Sequence, residues 1–249
     1  MEKKKSKAFL IVLLPVLGVF IFSLVKIGMP MLEYYQGEQE YEKLQDYVSF
    51  SQTEEASKEA GMPVDFDALK GVNPDTIGWI RLDSMEISYP IVQGEDNDYY
   101  LKHTFQKEEN PCGSIFVEIE NAPDFSDENT FVYGHNMKNK SMFAKLNWFQ
   151  EEDTYRDSPG FLIYTPEGVL RYEIYSCHVA KLGSEAFHYQ FEEAGEYAEW
   201  QAKMKADSLY DTKVTPDPSQ KTVTLMTCTA AGSNYRCLVH GVLTEDGRE

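Results

Sequence analysis

The chain has 249 residues, 42% of them hydrophobic and 13% aromatic, enough apolar material for one ordinary core plus an appendage. Its formal net charge of -18 argues against a nucleic-acid binder, which needs a basic footprint to neutralise phosphates, and against a domain lying flat on an anionic bilayer.

At the N-terminus, MEKKKSK is followed by an uncharged run from Ala8 to Val25. At about 1.5 Å per residue this run is about 27 Å long, enough to cross a hydrocarbon core, and Pro15 and Gly18 are tolerable in a membrane helix. A secretory signal would begin the same way, but no small-x-small cleavage site follows; the chain continues KIGMPMLEYY. Residues 1–30 therefore read as a cytoplasmic tail and single-pass anchor in the cell membrane. Lys3, Lys4, Lys5 and Lys7 put everything after Lys26 on the outer side. Residues 31–63, rich in Glu, Gln and Tyr, read as a helical stalk with a solvated charged face.

The expected exported domain covers 64–249. A short helix at DFDALKGVN leads into strands at 77–83 and 87–93, the second marked by Pro90 as an edge or a bulge. Further strands are predicted at 113–118, 129–135, 160–165, 169–180, 221–228 and 236–243, with PEG at 166–168 turning one hairpin. Helices are predicted over 141–149 and within 192–210, where Ala194, Tyr197, Trp200, Met204 and Leu209 recur at roughly helical spacing. The class is mostly β with inserted helices, a barrel or a sandwich. The polar C-terminus, LTEDGRE, carries no anchoring signal, so attachment is expected through the N-terminus. The acidic runs at 94–98 and 123–129 lack the ligand alternation of a calcium loop, and no zinc spacing or phosphate loop occurs. No metal and no cofactor is expected.

The segment TLMTCTAAGSNYRCLVHG, 224–241, holds the first chemical signal. If its two strands pair, side-chain alternation puts Val223, Leu225, Cys237 and Val239 in the core and Cys228 and Arg236 together on the other face, beside the loop 229–235. Of the four cysteines, Cys228 is then the candidate for chemistry. Cys177 and Cys237 read as small buried hydrophobes, and Cys112, in NPCG, stays open. A cysteine nucleophile needs a proton partner. His240 shares the Arg236 face but lies four residues along, about 13 Å at strand rise, and reads as structural or surface. His178, His188 and His103 have unremarkable settings. His135 follows the apolar strand TFVY and a flexible Gly134, so it emerges where a strand meets a loop.

The combination of FVYGHNM with TLMTC and a downstream arginine resembles the sortases, and specifically class B. IGWIRLDSMEISYPIVQGEDNDYYLKHTF, GSIFVE, VYGHNMKNKSMFAKL and the helical insert before the cysteine strand extend the resemblance over about residues 64–243. It implies the sortase closed β-barrel of about eight strands and a cysteine transpeptidase of Gram-positive bacteria. Cys228 would be the nucleophile, His135 the general acid/base, and Arg236 the holder of the oxyanion or substrate backbone. The implied partners are surface or pilin proteins bearing a C-terminal sorting signal, cut after Thr through a thioacyl-enzyme. The implied acceptor is an amine, of a lipid II-type cell-wall precursor or a pilin lysine. Thr227, Thr229 and Tyr235 are candidate substrate contacts. An acidic residue that some members carry two positions after the cysteine is Ala230 here. The rival readings are another extracytoplasmic Cys/His peptidase, an L,D-transpeptidase, whose short Ser-x-Gly-Cys-x-Arg segment is absent, and an anchored binding module with an inactive site.

Overall fold

The computed structural model describes residues 2–50, 62–193 and 195–248, without the side chains of residues 2–12 and Ile27. The end of the expected stalk, 51–61, and Ala194 lie outside the described residues. Eight strands close into a barrel: β1 (Thr76–Leu82), β2 (Ile87–Val92), β3 (Ile115–Val117), β4 (Asn129–Tyr133), β5 (Gly160–Thr165), β6 (Gly168–Lys181), β7 (Thr222–Cys228) and β8 (Tyr235–Asp246). Their order around the barrel is β1-β2-β3-β4-β7-β8-β6-β5, with β5 pairing back onto β1. Pro90 sits where β2 pairs with β1 alone, since β3 joins only at Ile91 and Val92, so its missing N–H breaks no ladder.

Two of the joins, β2–β3 and β4–β7, are parallel. Parallel neighbours cannot be linked by a tight turn, so both joins need crossover connections. The second connection is long. It carries a 3-10 segment (Ala144–Gln150), a short helix, the β5–β6 hairpin and a covering helix before β7 begins. Within the 3-10 segment and just before it, Phe143, Leu146 and Phe149 are fully buried at intervals of three, the period of a 3-10 rather than an α-helix. The expected helix over 141–149 is corrected to that form.

Helices are numbered α1 (Glu2–Leu44), α2 (Phe66–Val72), α3 (Glu152–Asp157) and α4 (Glu196–Ala206). α4 is shorter than 192–210, and Leu209 lies beyond it, exposed. Tyr197, Trp200, Gln201 and Met204 form its buried stripe. They cover Tyr175, Leu238 and Val242 on the outer side of β6 and β8 in a second hydrophobic cluster. Val223, Leu225, Cys237 and Val239 point inward into the main core, as the alternation requires. The opposite face is not solvent here; the inserted helix buries it.

The segments expected as anchor and arm form one helix. α1 contains a stretch long and apolar enough to cross a membrane, by length and composition. Its last turns dock on the barrel rather than standing free: Tyr41 and Leu44 are buried, and the Tyr41 hydroxyl donates to the Gly113 carbonyl at 2.7 Å. Asn110 Nδ2 donates to the Glu33 carbonyl at 2.8 Å, and the Gln106 N–H to Glu40 at 2.8 Å. The charged face of the stalk is thus interrupted by a buried side gripping the loop 99–114.

Candidate active site

β4 and β7 are parallel with Tyr133 opposite Met226, so both strands run out at the same rim of the barrel. Two residues further on lie His135 and Cys228. β8 returns antiparallel with Arg236 opposite Cys228, so it starts at that rim too. Cys228 is exposed; Cys112, Cys177 and Cys237 are buried free thiols. Burial, with Glu40 nearby, pushes the Cys112 thiol up to about 12. The neighbouring Cys237 thiol, together with burial, raises the Cys177 thiol well above its ordinary value. Neither is a thiolate at neutral pH.

His135 is half-buried, with Nε2 at 2.7 Å from the Leu101 carbonyl. A carbonyl only accepts, so Nε2 carries the proton there and Nδ1 is the open nitrogen. The group orienting this imidazole is a backbone carbonyl, so no acid near Ala230 is required for the task. Gly113, at φ 55°, lets the loop press against the ring: an added Cβ would lie 3.0 Å from His135 Cδ2 and 2.5 Å from the Tyr100 carbonyl oxygen. Gly134 serves packing and not flexibility, since a Cβ there would meet Ile115 Cδ1 at 2.5 Å and Phe143 Cγ at 2.6 Å.

Arg236 donates from Nη1 to the carbonyls of Ser233 (2.7 Å) and Tyr235 (2.9 Å). Nε and Nη2 have no protein acceptor among the described residues. Thr229 is half-buried just past β7, and its backbone N–H likewise meets no acceptor among the described residues. Tyr235 is exposed at the start of β8. Thr227 is corrected: it is 2% exposed, shares the inward parity of Leu225, and its buried hydroxyl has no partner among the described residues, so its side chain offers nothing to a ligand at the rim. Two residues missed in the sequence sit here. Asn136 and Asn147 both donate from Nδ2 to the Cys228 carbonyl, at 2.9 and 3.0 Å. Asn136 directly follows the histidine in VYGHNM, but its residue type does not announce its target. The Leu101 carbonyl, a backbone group, left no signal at all.

The remaining histidines lie elsewhere. His240 is fully buried, bonded through Nδ1 to Thr224 Oγ1 at 2.8 Å and stacked on His178 at 5.1 Å, with the Trp200 edge at 5.5 Å. Burial, then the neighbouring His178, holds it well below the ordinary histidine value. His103 stacks on Tyr99 at 4.0 Å, and His188 is exposed. Beside the rim, Tyr133 donates to the buried Glu118 carboxylate at 2.5 Å. Burial and that carboxylate raise the Tyr133 hydroxyl far above its usual value, so it remains a donor. Asp96 and Asp124 cap turns in their acidic runs, each accepting loop N–H groups.

A family model described as Sortase domain matches residues 80–244. Sortase B of Listeria monocytogenes is 34% identical over 230 residues, covering 90% of this chain and 92% of that protein. Among solved structures, sortase B from Bacillus anthracis in complex with AAEK1 superposes with a TM-score of 0.75 at 28% identity, over 87% of this chain and 100% of that one. A Staphylococcus aureus sortase B–substrate complex gives 0.76 at 26% identity, over 86% of this chain and 99% of that one. With the same closed barrel and an exposed cysteine at its rim, the chain belongs to the sortases, as a sortase B-type cysteine transpeptidase of cell-wall protein sorting.

Proposed function

We propose that the chain is held in the membrane by α1 and works outside it, with Cys228 as nucleophile, His135 as proton carrier and Arg236 as donor to the developing oxyanion. What supports the reading is the convergence of these three residue types at one rim through the β4–β7 and β7–β8 registers, with Cys228 the one exposed thiol of four.

The Cys228 thiolate attacks the carbonyl carbon of a threonine in a C-terminal sorting signal, giving a tetrahedral oxyanion. The C–N bond to the following residue then breaks, and the departing nitrogen takes a proton from Nδ1 of the His135 imidazolium. A thioester on Sγ remains. A primary amine attacks it, His135 takes the amine's proton, and Sγ leaves as thiolate. Arg236 can steady the loop through Nη1 and still offer Nε and Nη2 to the oxyanion. The unpaired Thr229 N–H, adjacent to the nucleophile, is a second donor. Losing one such donor costs about 2.7–4 kcal/mol, or roughly 10²–10³ in rate. The acceptor is a primary amine, of a lipid II-type cell-wall precursor or a pilin lysine.

The test is turnover of sorting-signal peptides by the full chain in detergent, with both amine classes supplied. Cleavage after Thr and transfer to one of the two amines is expected, with no product from Cys228→Ala. Product from Cys228→Ala would refute the nucleophile assignment, and cleavage with transfer to neither amine would refute transpeptidation.

A further inference from the structure

Cys228 is the last residue of β7, and its partner strand β4 has already ended at Tyr133. The last backbone bond between them is from the Gly134 N–H to the Met226 carbonyl, at 3.1 Å. The next carbonyl along that edge of β7 is Cys228's own. Among the described residues no backbone donor continues the ladder to it; two side-chain amides do, Asn136 Nδ2 at 2.9 Å and Asn147 Nδ2 at 3.0 Å. A carbonyl oxygen has two lone pairs, and both are used.

The two amides come from separate pieces of chain, and each is itself fixed. Asn136 forms a β-bridge with Met142, and the Phe143 N–H donates to the His135 carbonyl at 3.0 Å, closing the 135–143 loop. Asn147 lies in the 3-10 segment, where Gln150 Nε2 donates to its carbonyl at 3.1 Å and to its Oδ1 at 3.3 Å. One amide would satisfy the carbonyl. Two, arriving from different directions, also fix the rotation of the Cys228–Thr229 peptide plane. In a trans peptide the N–H points opposite to the carbonyl, so fixing one fixes the other. The Thr229 N–H has no acceptor among the described residues. It is a donor held in one direction, next to Sγ, and two hydrogen bonds to its carbonyl polarise it further.

We propose that Asn136 and Asn147 are positioning residues for acylation, acting through the Cys228–Thr229 peptide to keep the Thr229 N–H aimed at the oxyanion. This rests on the transpeptidase reading above. Both Nδ2 atoms are engaged by the Cys228 carbonyl, and the pair's effect falls on a charge that exists only after attack.

The experiment compares the full-length wild type, Asn136→Ala, Asn147→Ala and the double variant in two reactions. One is peptide turnover, which passes through an oxyanion. The other is alkylation of Cys228 by iodoacetamide, which does not. In the double variant kcat falls on the order of 10²-fold with KM little changed. Its alkylation rate stays within about twofold of wild type, as does the pH profile of that rate. Each single variant retains one bond and loses less than the pair. A folded double variant with wild-type kcat overturns the proposal, and so does alkylation falling in parallel with kcat. Should the double variant not fold, Asn136→Ala decides, because Asn136 is exposed: unchanged kcat there also overturns it. Failure of the wild type to turn over any sorting peptide would instead sink the transpeptidase reading and this inference with it.

Discussion

The guanidinium of Arg236 has five N–H donors in a rigid plane, and Nη1 is committed to the Ser233 and Tyr235 carbonyls. A lysine ammonium is a point charge that can hold the loop or meet an oxyanion, not both in fixed geometry. Arg236→Lys should therefore lower kcat at least about 10²-fold with a smaller change in KM, measured by steady-state peptide turnover; near-normal kinetics would reduce Arg236 to a part of the loop. The two histidines separate cleanly. His135→Ala should abolish turnover with little change in melting temperature. His240→Ala, which empties a site between Thr224, His178 and Trp200, should cost about 2–3 kcal/mol of stability while leaving kcat near wild type. Denaturant unfolding and kinetics on the same samples distinguish the two patterns.

At the scale of elements, α4 and α1 do work that strand patterning does not display. α4 closes over the stacked pair His178 and His240, and burial lowers both below the ordinary histidine value. The unfolded chain binds protons on these rings below about pH 6.5 and the fold resists doing so. Their contribution to stability is complete above 6.5 and is lost as pH falls toward the depressed values. The melting temperature should drop between pH 7 and 5.5, and His178→Gln/His240→Gln should flatten that drop; an unchanged slope would mean that other groups carry it. α1 grips the loop 99–114 that supplies the Leu101 carbonyl to His135. Tyr41→Phe leaves the Gly113 carbonyl and the Phe105 N–H short of a partner, a loss of about 1–3 kcal/mol readable by denaturant unfolding. The alternation of β7 and β8 was legible because inward parity is a local property of the chain. That the outward parity is also buried depends on a helix inserted before β7, and the amphipathic stripe of Tyr197, Trp200 and Met204 states that it packs, not on what.

For the whole molecule, the parallel β4–β7 join and the antiparallel β7–β8 join bring three distant positions to one rim of the barrel. The strand order, with parallel joins at β2–β3 and β4–β7, cannot be deduced from strand count; the resemblance to sortases supplied the closed barrel of about eight strands and not its order. Cys228, Arg236 and His135 could be picked as candidates because each stands where a strand meets a loop. Asn136, Asn147 and the Leu101 carbonyl were not, because their roles are defined by partners far away in sequence. The most direct measurement is to incubate the full chain with a sorting-signal peptide, quench in acid, and locate the acyl group by peptide mass mapping. The expected result is acyl mass on the fragment containing Cys228, removed when an amine is added before the quench. An adduct on Cys112, Cys177 or Cys237, or consumption of substrate with no adduct and undiminished rate in Cys228→Ala, would contradict it.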